Sequence, residues 1–485
     1  MFNDITFTKE RPIYLQIKDY IKEMILKGML QKDLKLPSTR ELSHLLNVSR
    51  NTVMLACQYL EDEGFIYTLK GKGAFISNVQ IKYQDTRHID WTQKINQYTQ
   101  LAEDLDIMKH GVKWEKGMIS FTSIAPDETL FDVEDFKRAF LNRISLEGEK
   151  LLNYGYARGY LPLIQYLTRY MENKGVDIEG KDVLITNGFT EGLNILLSAL
   201  TEKGDRILCE NPTHNTAIKI MKMHGLEIVG IPVEEDGPDM KQLKDKLAEQ
   251  DVKLAFLVPS YHNPTGIVMS PEKRMEAFNI LQQYEVPIIE DGFNEELRYS
   301  GSHVSPIIAL SGKGNSVIYT GSFSKILFPG LRIGWIVADK RLIDYLESIK
   351  RSRNIHTSSI DQAVLYEYLQ AGYFERYLRR VRKIYREKYE FALKCARAHI
   401  PCKKILGEGG LHIFVELDEI HARELLEKCY HKGVIFTPGD RFYTDDNGKN
   451  AIRLGFSRVQ KKDIEKGFAI IGEVIENWRS IKKRE

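Results

Sequence analysis

Gly321-Ser322-Phe323-Ser324-Lys325 is followed closely by Pro329-Gly330-Leu331-Arg332-Ile333-Gly334-Trp335, so two hydroxyls, an amine and a guanidinium fall within one short stretch. A lysine held in a largely dry cleft has a lowered pKa and can attack a carbonyl to form a Schiff base, and an arginine beside it can neutralise a phosphate. Most lysines are solvent-exposed, so this chemistry rests on the surrounding motif and not on Lys325 alone. Asn187-Gly188-Phe189-Thr190, ahead of a helix beginning at Glu191, places backbone N–H groups and the positive helix end where an anion can sit. Taken singly, such a glycine usually only makes a turn. Asp291 can pair with a protonated pyridine nitrogen and keep that ring an electron sink, or simply cap a helix. Asn263, in Tyr261-His262-Asn263-Pro264-Thr265-Gly266, can hydrogen-bond a phenolic oxygen on the same ring. His214 can stack on the ring face or stand as a partly buried polar residue.

These residues need elements that bring them to one place. From Ile119 onward, β-rich runs alternate with helical stretches: Val183 to Thr186, Arg206 to Cys209, Leu254 to Val258, Pro287 to Glu290 and Val317 to Thr320. That alternation predicts an α/β domain, a mostly parallel sheet covered by helices on both faces. In such a domain ligands bind at the carboxyl ends of strands, where each motif above stands.

The first eighty residues read differently. Ile13, Ile17, Ile21 and Ile25 have helical spacing from about Pro12, and Gly28 closes that helix. Ser38 and Glu41 have capping-box spacing ahead of Leu42, Leu45 and Leu46, and Asn47 ends this second helix. Ser49 is placed to cap a third helix through Val53, Cys57 and Leu60 after a tight turn. The runs FIYTL and AFIS then flank Lys70-Gly71-Lys72-Gly73 as a two-stranded wing. Ser49, Arg50, Asn51 and Thr52 crowd the third helix start, the end a recognition helix presents to DNA, with Arg50 and Asn51 as base-edge candidates. Arg40, Lys70 and Lys72 are placed to meet phosphates of a double-stranded operator. Each is also, taken singly, an ordinary solvated charge.

Bulk properties agree with two domains: 485 residues exceed what one core usually supports, and 43% hydrophobic with 28% charged residues is globular composition. A net charge of +2 does not announce nucleic-acid binding, which instead needs a local basic face. No apolar run is long enough to cross a bilayer, and MFNDITFTKERP lacks a signal-peptide pattern, so a cytoplasmic protein is expected. Cys57, Cys209, Cys395, Cys402 and Cys429 lack metal-ligand spacing and read as structural thiols, and no metal is expected. Residues 79–116 read as a polar connector with some helix over Leu101 to Met108, between a DNA-binding domain at 1–78 and an effector domain at 117–485.

PIYLQIKDYIK, LPSTRELSHLLNVSRNTV and EGFIYTLKGKGAFI resemble the winged helix-turn-helix of GntR-type bacterial regulators. The motifs around Lys325, Asp291 and Asn263 resemble, over roughly Ile119 to Trp478, the class I aminotransferases, which are fold-type I pyridoxal-phosphate enzymes. The fusion resembles the MocR subfamily. On that resemblance Lys325 carries the cofactor pyridoxal 5'-phosphate as an internal aldimine, Asp291 pairs with its ring nitrogen and Asn263 with its ring oxygen. Phe189, Thr190, Ser322, Ser324 and Arg332 hold its phosphate. Tyr154 reaches the neighbouring subunit's phosphate, which implies a head-to-tail homodimer, and Arg453 grips the carboxylate of a substrate or effector. The sequence departs from the family at Phe293, where most relatives carry a tyrosine whose hydroxyl donates to the ring oxygen, and at Ser123 to Asp127, which lacks a glycine common near the substrate. The first departure bears on turnover more than on cofactor binding. A regulator that senses a small amine or amino acid through Lys325 and Arg453 is therefore the leading expectation, with the connector as the element able to adopt two arrangements. The alternatives are an active aminotransferase that carries a winged helix and a sensor of pyridoxal phosphate itself.

Overall fold

In the computed structural model the Ser38 hydroxyl accepts from the Glu41 N–H at 3.2 Å, while Glu41 Oε2 accepts from the Ser38 N–H at 2.7 Å. This reciprocal capping box starts helix α2 (Thr39–Leu45), which follows α1 (Ile13–Leu26). Asn47, at φ 51, turns the chain in the left-handed region that asparagine tolerates, and Ser49 caps α3 (Arg50–Asp62) by accepting from the Thr52 N–H at 3.1 Å. Strands β1 (Ile66–Leu69) and β2 (Gly73–Ile76) pair antiparallel as the wing. Ile17, Ile21, Leu42, Val53, Ala56, Leu60 and Ile76 are all nearly fully buried in one core, so three short helices and a hairpin share a single apolar centre.

The structure describes residues 5–8, 10–78, 89–106, 109, 111–299 and 303–483, and the chain divides into two units, Met1–Ile95 and Asn96–Glu485. The second unit begins with α4 (Gln97–Asp104), whose N-cap Asn96 accepts from the Thr99 N–H at 2.9 Å. This is the helix expected over Leu101 to Met108. It starts earlier because Asn96 supplies a capping oxygen that the sequence reading overlooked, and it stops at Asp104; Met108 lies outside the described residues.

A seven-stranded sheet organises the rest: β3 (Lys181–Thr186), β4 (Arg206–Asn211), β5 (Glu227–Pro232), β6 (Leu254–Leu257), β7 (Ile288–Asp291), β8 (Val317–Ser322) and β9 (Gly334–Asp339). Their spatial order is β3-β9-β8-β7-β6-β4-β5. The run from β5 to β8 is parallel, and β9 is antiparallel to both its neighbours. All four residues of β6 are buried, as a central strand covered on both faces requires. Neither β5 nor β9 is among the expected strands; of β9 only Gly334 and Trp335 enter the sequence analysis, as the end of the lysine motif. Helix α5 (Phe189–Leu200) packs against β8 and β9, and α6 (Asn215–Met223) follows β4.

A smaller antiparallel sheet joins β10 (Lys404–Leu406), β11 (His412–Glu416), β12 (Thr437–Pro438) and β13 (Ala451–Gly455) in the order β10-β11-β13-β12. Its apolar side, with Ile413, Val415, Ile452 and Leu454, packs in a second core with Phe121 and Phe468. No helix among the described residues is long and apolar enough to cross a membrane, and no group of three or more metal-ligating side chains is found among them. The five cysteines are free, and Cys209, Cys395 and Cys429 are buried.

Candidate cofactor and effector site

The carboxyl ends of β7 and β8 and the amino ends of α5 and α6 open into one cavity of about 210 Å³. Phe189, Thr190, His214, Asp291, Ser322, Ser324, Lys325 and Arg332 all line it, so eight residues picked from five separate sequence segments converge. Thr216, Phe293, Asn294 and Pro329 complete the wall.

Local backbone explains the anion-binding side. Gly188 is the N-cap of α5 at φ 80, a conformation costly for any residue with a Cβ, and a Cβ there would meet Arg332 Nη2 at 2.9 Å. Arg332 sits in the left-handed region at φ 53, ψ 38 after a short 3-10 turn, and donates to Ser324 Oγ and to the Asn187 carbonyl, each at 3.2 Å. The guanidinium is thereby held across the start of α5, where N–H groups without helical acceptors already favour an anion. Ser322 Oγ accepts from the Ser324 N–H at 3.2 Å and fixes the turn leading to Lys325.

Burial, and after it the cations Arg453, Arg458 and Arg332, push Lys325 down to about 8, so its amine carries a neutral nucleophilic fraction near physiological pH. Burial lifts Asp291 to about 8, with Glu290 adding to the rise and the Phe293 N–H opposing it. A carboxylate in so dry a position calls for a cationic partner. His214 is pushed down to about 3 by burial and then by Lys325, Arg453 and His262, which makes its ring neutral. That ring lies 5.3 Å from Phe189 at 33° and 6.1 Å from Phe293 at 38°, with Nδ1 buried, without a hydrogen bond and 3.9 Å from Asp291 Oδ2. It forms an aromatic wall.

Asn263 and Arg453 stand behind this cavity and not in its lining. Arg453 Nη1 donates to Asn263 Oδ1 at 2.8 Å and Nη2 to the Thr122 carbonyl at 3.2 Å, and its guanidinium lies 4.7 Å from the Phe442 ring centre. Among the described residues no carboxylate pairs with it; its Nε and Asn263 Nδ2 are buried without partners. Tyr154 is not brought to the cavity at all: it is 80% exposed, edge-on to the His356 ring at 6.1 Å. In the first unit, Arg40, Ser49, Arg50, Asn51, Lys70 and Lys72 are exposed and Thr52 half-buried. Ser49 and Thr52 spend their hydroxyls on each other at 2.8 Å as part of the cap, and Arg50 Nε reaches Thr39 Oγ1 at 3.4 Å.

The sequence reading missed Thr216 and Asn294 on the wall and Phe442 beneath Arg453. Asn294 is the least expected: its amide is buried and both polar atoms lack partners. Only its position one residue beyond Phe293 could have pointed to it.

Comparisons with known proteins agree with this geometry. The family model of class I and II aminotransferases matches residues 118–471, and that of bacterial regulatory proteins of the gntR family matches residues 13–76. Aromatic-amino-acid aminotransferase 1 of Thermococcus litoralis is 32% identical over 74% of this chain and 88% of its own length. The HTH-type transcriptional regulator YdfD of Bacillus subtilis is 28% identical over 97% of this chain and 98% of its own. The crystal structure of a multiple substrate aminotransferase from Thermococcus profundus superposes with a TM-score of 0.76 at 29% identity, covering 80% of this chain and 99% of that one. The chain belongs to the class I and II aminotransferase family, whose fold and pyridoxal-phosphate dependence it shares. With its gntR-type DNA-binding unit it is a helix-turn-helix transcription regulator of the MocR type.

The residues present fit that cofactor. Its phosphate would find the α5 amino end, Arg332 and two serines, its pyridine ring an aromatic wall and a buried carboxyl, and its aldehyde a lysine amine of lowered pKa. The free Asn263 Nδ2 leaves a donor for the ring oxygen.

Proposed function

We propose that the second unit is a sensor for a small amine or amino acid, and that its occupancy sets operator affinity in the first unit. The observation that carries this reading is the cavity in which Lys325, Asp291, His214 and the anion-binding groups of α5 converge. Lys325 would hold pyridoxal phosphate through its aldehyde carbon, with Phe189, Thr190, Ser322, Ser324 and Arg332 on the phosphate, Asp291 on the ring nitrogen, Asn263 on the ring oxygen and His214 against the ring. Bound there, the cofactor supplies an electrophilic carbon that can exchange its lysine for an incoming amine.

Arg453 is the group that favours a carboxylate on that amine. It is a buried cation paired only with neutral oxygens, which is a costly arrangement unless a ligand anion completes it. Phe293 supports sensing over turnover, since a phenyl ring offers no hydroxyl to the ring oxygen.

The chain is read as DNA-binding segment 1–78, connector 79–116 and effector segment 117–485, acting in the cytoplasm. Ser49, Arg50, Asn51 and Thr52 would enter the operator groove, with Arg40, Lys70 and Lys72 on phosphates. A homodimer is part of the reading: Val133, Leu141, Leu146, Leu152, Tyr154 and Tyr156 are all more than half exposed, an apolar and aromatic set that water alone does not favour. Within such a head-to-tail dimer Tyr154 would serve the partner's cofactor phosphate.

Borohydride reduction of cofactor-loaded protein, followed by peptide mass analysis, tests the core of this reading. A phosphopyridoxyl mass on the peptide containing Lys325, absent from Lys325→Ala, is expected; labelling spread over other lysines with Lys325 untouched would overturn it.

A further inference from the structure

A second cavity, of about 360 Å³, shares helix α6 with the first. Helix α6 divides them: at its amino end His214 and Thr216 face the cofactor cavity, while Asn215, Ile218, Lys219 and Lys222 line the second one. Phe442 lines neither cavity but stands between two residues that line the second. Its ring lies against Arg453, its carbonyl accepts from the Thr213 N–H at 2.8 Å, and its neighbours Arg441 and Tyr443 line the second cavity.

The third wall comes from the connector. Asp104, Leu105 and Asp106, the end of α4 and the residues just after it, close the cavity, and α4 packs against α6. No residue of α4 is fully buried. The lining is mostly charged: Asp104, Asp106 and Asp440 share it with Lys219, Lys222, Arg423 and Arg441, beside the apolar Leu105 and Ile218. Arg423 is already engaged by Asp440 at 2.6 Å. The α4 segment begins two residues after Ile95, where the first unit ends.

We propose that this cavity is the seat on which the connector docks, and that it relays occupancy of the Lys325 and Arg453 site to the DNA-binding unit. A ligand that repositions His214 at the head of α6, or Arg453 on Phe442, moves a wall of the seat and changes how firmly Asp104 to Asp106 are held. The proposal rests on the sensor reading for its signal, but the docking itself does not depend on that reading. Couplings of this kind typically change affinity by roughly 5–150-fold.

The test is the full-length Lys219→Glu/Lys222→Glu variant, compared with wild type with and without pyridoxal phosphate, by hydrogen exchange over residues 97–106 and by operator affinity. Both lysines lie outside the cofactor wall, so the lysine-dependent visible absorption of the loaded protein is expected to persist. The variant should lose protection over residues 97–106, and the difference in operator affinity between cofactor-free and loaded protein should shrink to within about twofold. Adding Asp104→Lys/Asp106→Lys to the reversed background should restore protection in part. Unchanged protection in the variant, or an unchanged operator response with the absorption intact, would overturn the proposal. Loss of the absorption in wild type itself would count against the sensor reading, while the exchange data would still decide whether the seat exists.

Discussion

Arg453 and Asn263, 190 residues apart, are joined by a 2.8 Å hydrogen bond from Nη1 to Oδ1. The bond orients the Asn263 amide so that Nδ2 is left without a partner, and it joins the arginine proposed to grip a carboxylate to the asparagine proposed to contact the cofactor ring. On that proposal, an effector carboxylate drawn onto Arg453 would act on a group that touches the cofactor.

Replacing Arg453 with glutamine should separate amino acids from amines. A charge-assisted pair is worth about 1.5–3 kcal/mol, so affinity for a responsive amino acid should fall by roughly ten- to a hundredfold. The corresponding decarboxylated amine should bind the variant about as well as it binds wild type. Spectral titration of both ligands checks this; equal losses for the two would remove Arg453 from carboxylate recognition.

The Lys325 amine must be neutral to capture an aldehyde, and its pKa is lowered to about 8. Below that value most of it is protonated, so the rate of cofactor uptake should climb about tenfold per pH unit and level off above about 8. An ordinary lysine, near 10.5, would keep climbing well past that point. Stopped-flow uptake by cofactor-free protein between pH 6 and about 10 distinguishes the two.

Phe293→Tyr should return a donor toward the ring oxygen. One hydrogen bond of about 0.5–1.5 kcal/mol corresponds to a downward shift of up to about one unit in the pKa of the bound chromophore. Conversion of an amino acid in a single turnover should speed up in parallel. A pH titration unchanged by the substitution would show that Phe293 lies out of reach of that oxygen.

In the first unit the two kinds of DNA contact should respond differently. Asn51→Ala should cost about 1–3 kcal/mol on the operator and relax specificity at one base position, whereas Lys70→Ala should weaken all sequences alike and lower the salt dependence by about one ion. Ser49→Ala removes a cap as well as a proposed operator contact; the loss of the cap should destabilise α3 by about 1 kcal/mol, read by amide exchange along that helix without DNA.

What the sequence revealed, and what it hid, follows from the range of the interactions. The caps at Ser38 and Ser49 were legible because a cap is written within four residues, and the same rule applied to Asn96 would have placed α4 correctly. Asp291 and Thr190 were legible because one ends a strand and the other stands in the first turn of a helix, and Lys325 because its motif follows directly on the strand that ends at Ser322. The antiparallel course of β9 was not, since Gly334 pairs with Thr186, far away in the chain, and no local pattern records a strand's direction. The Arg453 to Asn263 bond and the contact of Phe442 with Arg453 were hidden for the same reason, whereas Thr216, in the first helical turn after His214, was within reach of a local reading. Tyr154 is a different case: it is 80% exposed and away from the cavity, so the role proposed for it would need another copy of the chain.

The central claim is that chemistry at Lys325 governs DNA binding, and the most direct measurement is operator affinity of the loaded protein titrated with amino acids, side by side with Lys325→Ala. The account predicts that at least one amino acid shifts the wild-type visible absorption and the operator affinity over the same concentration range, and that Lys325→Ala still binds operator but shows neither shift. An affinity response that survives in Lys325→Ala would contradict it.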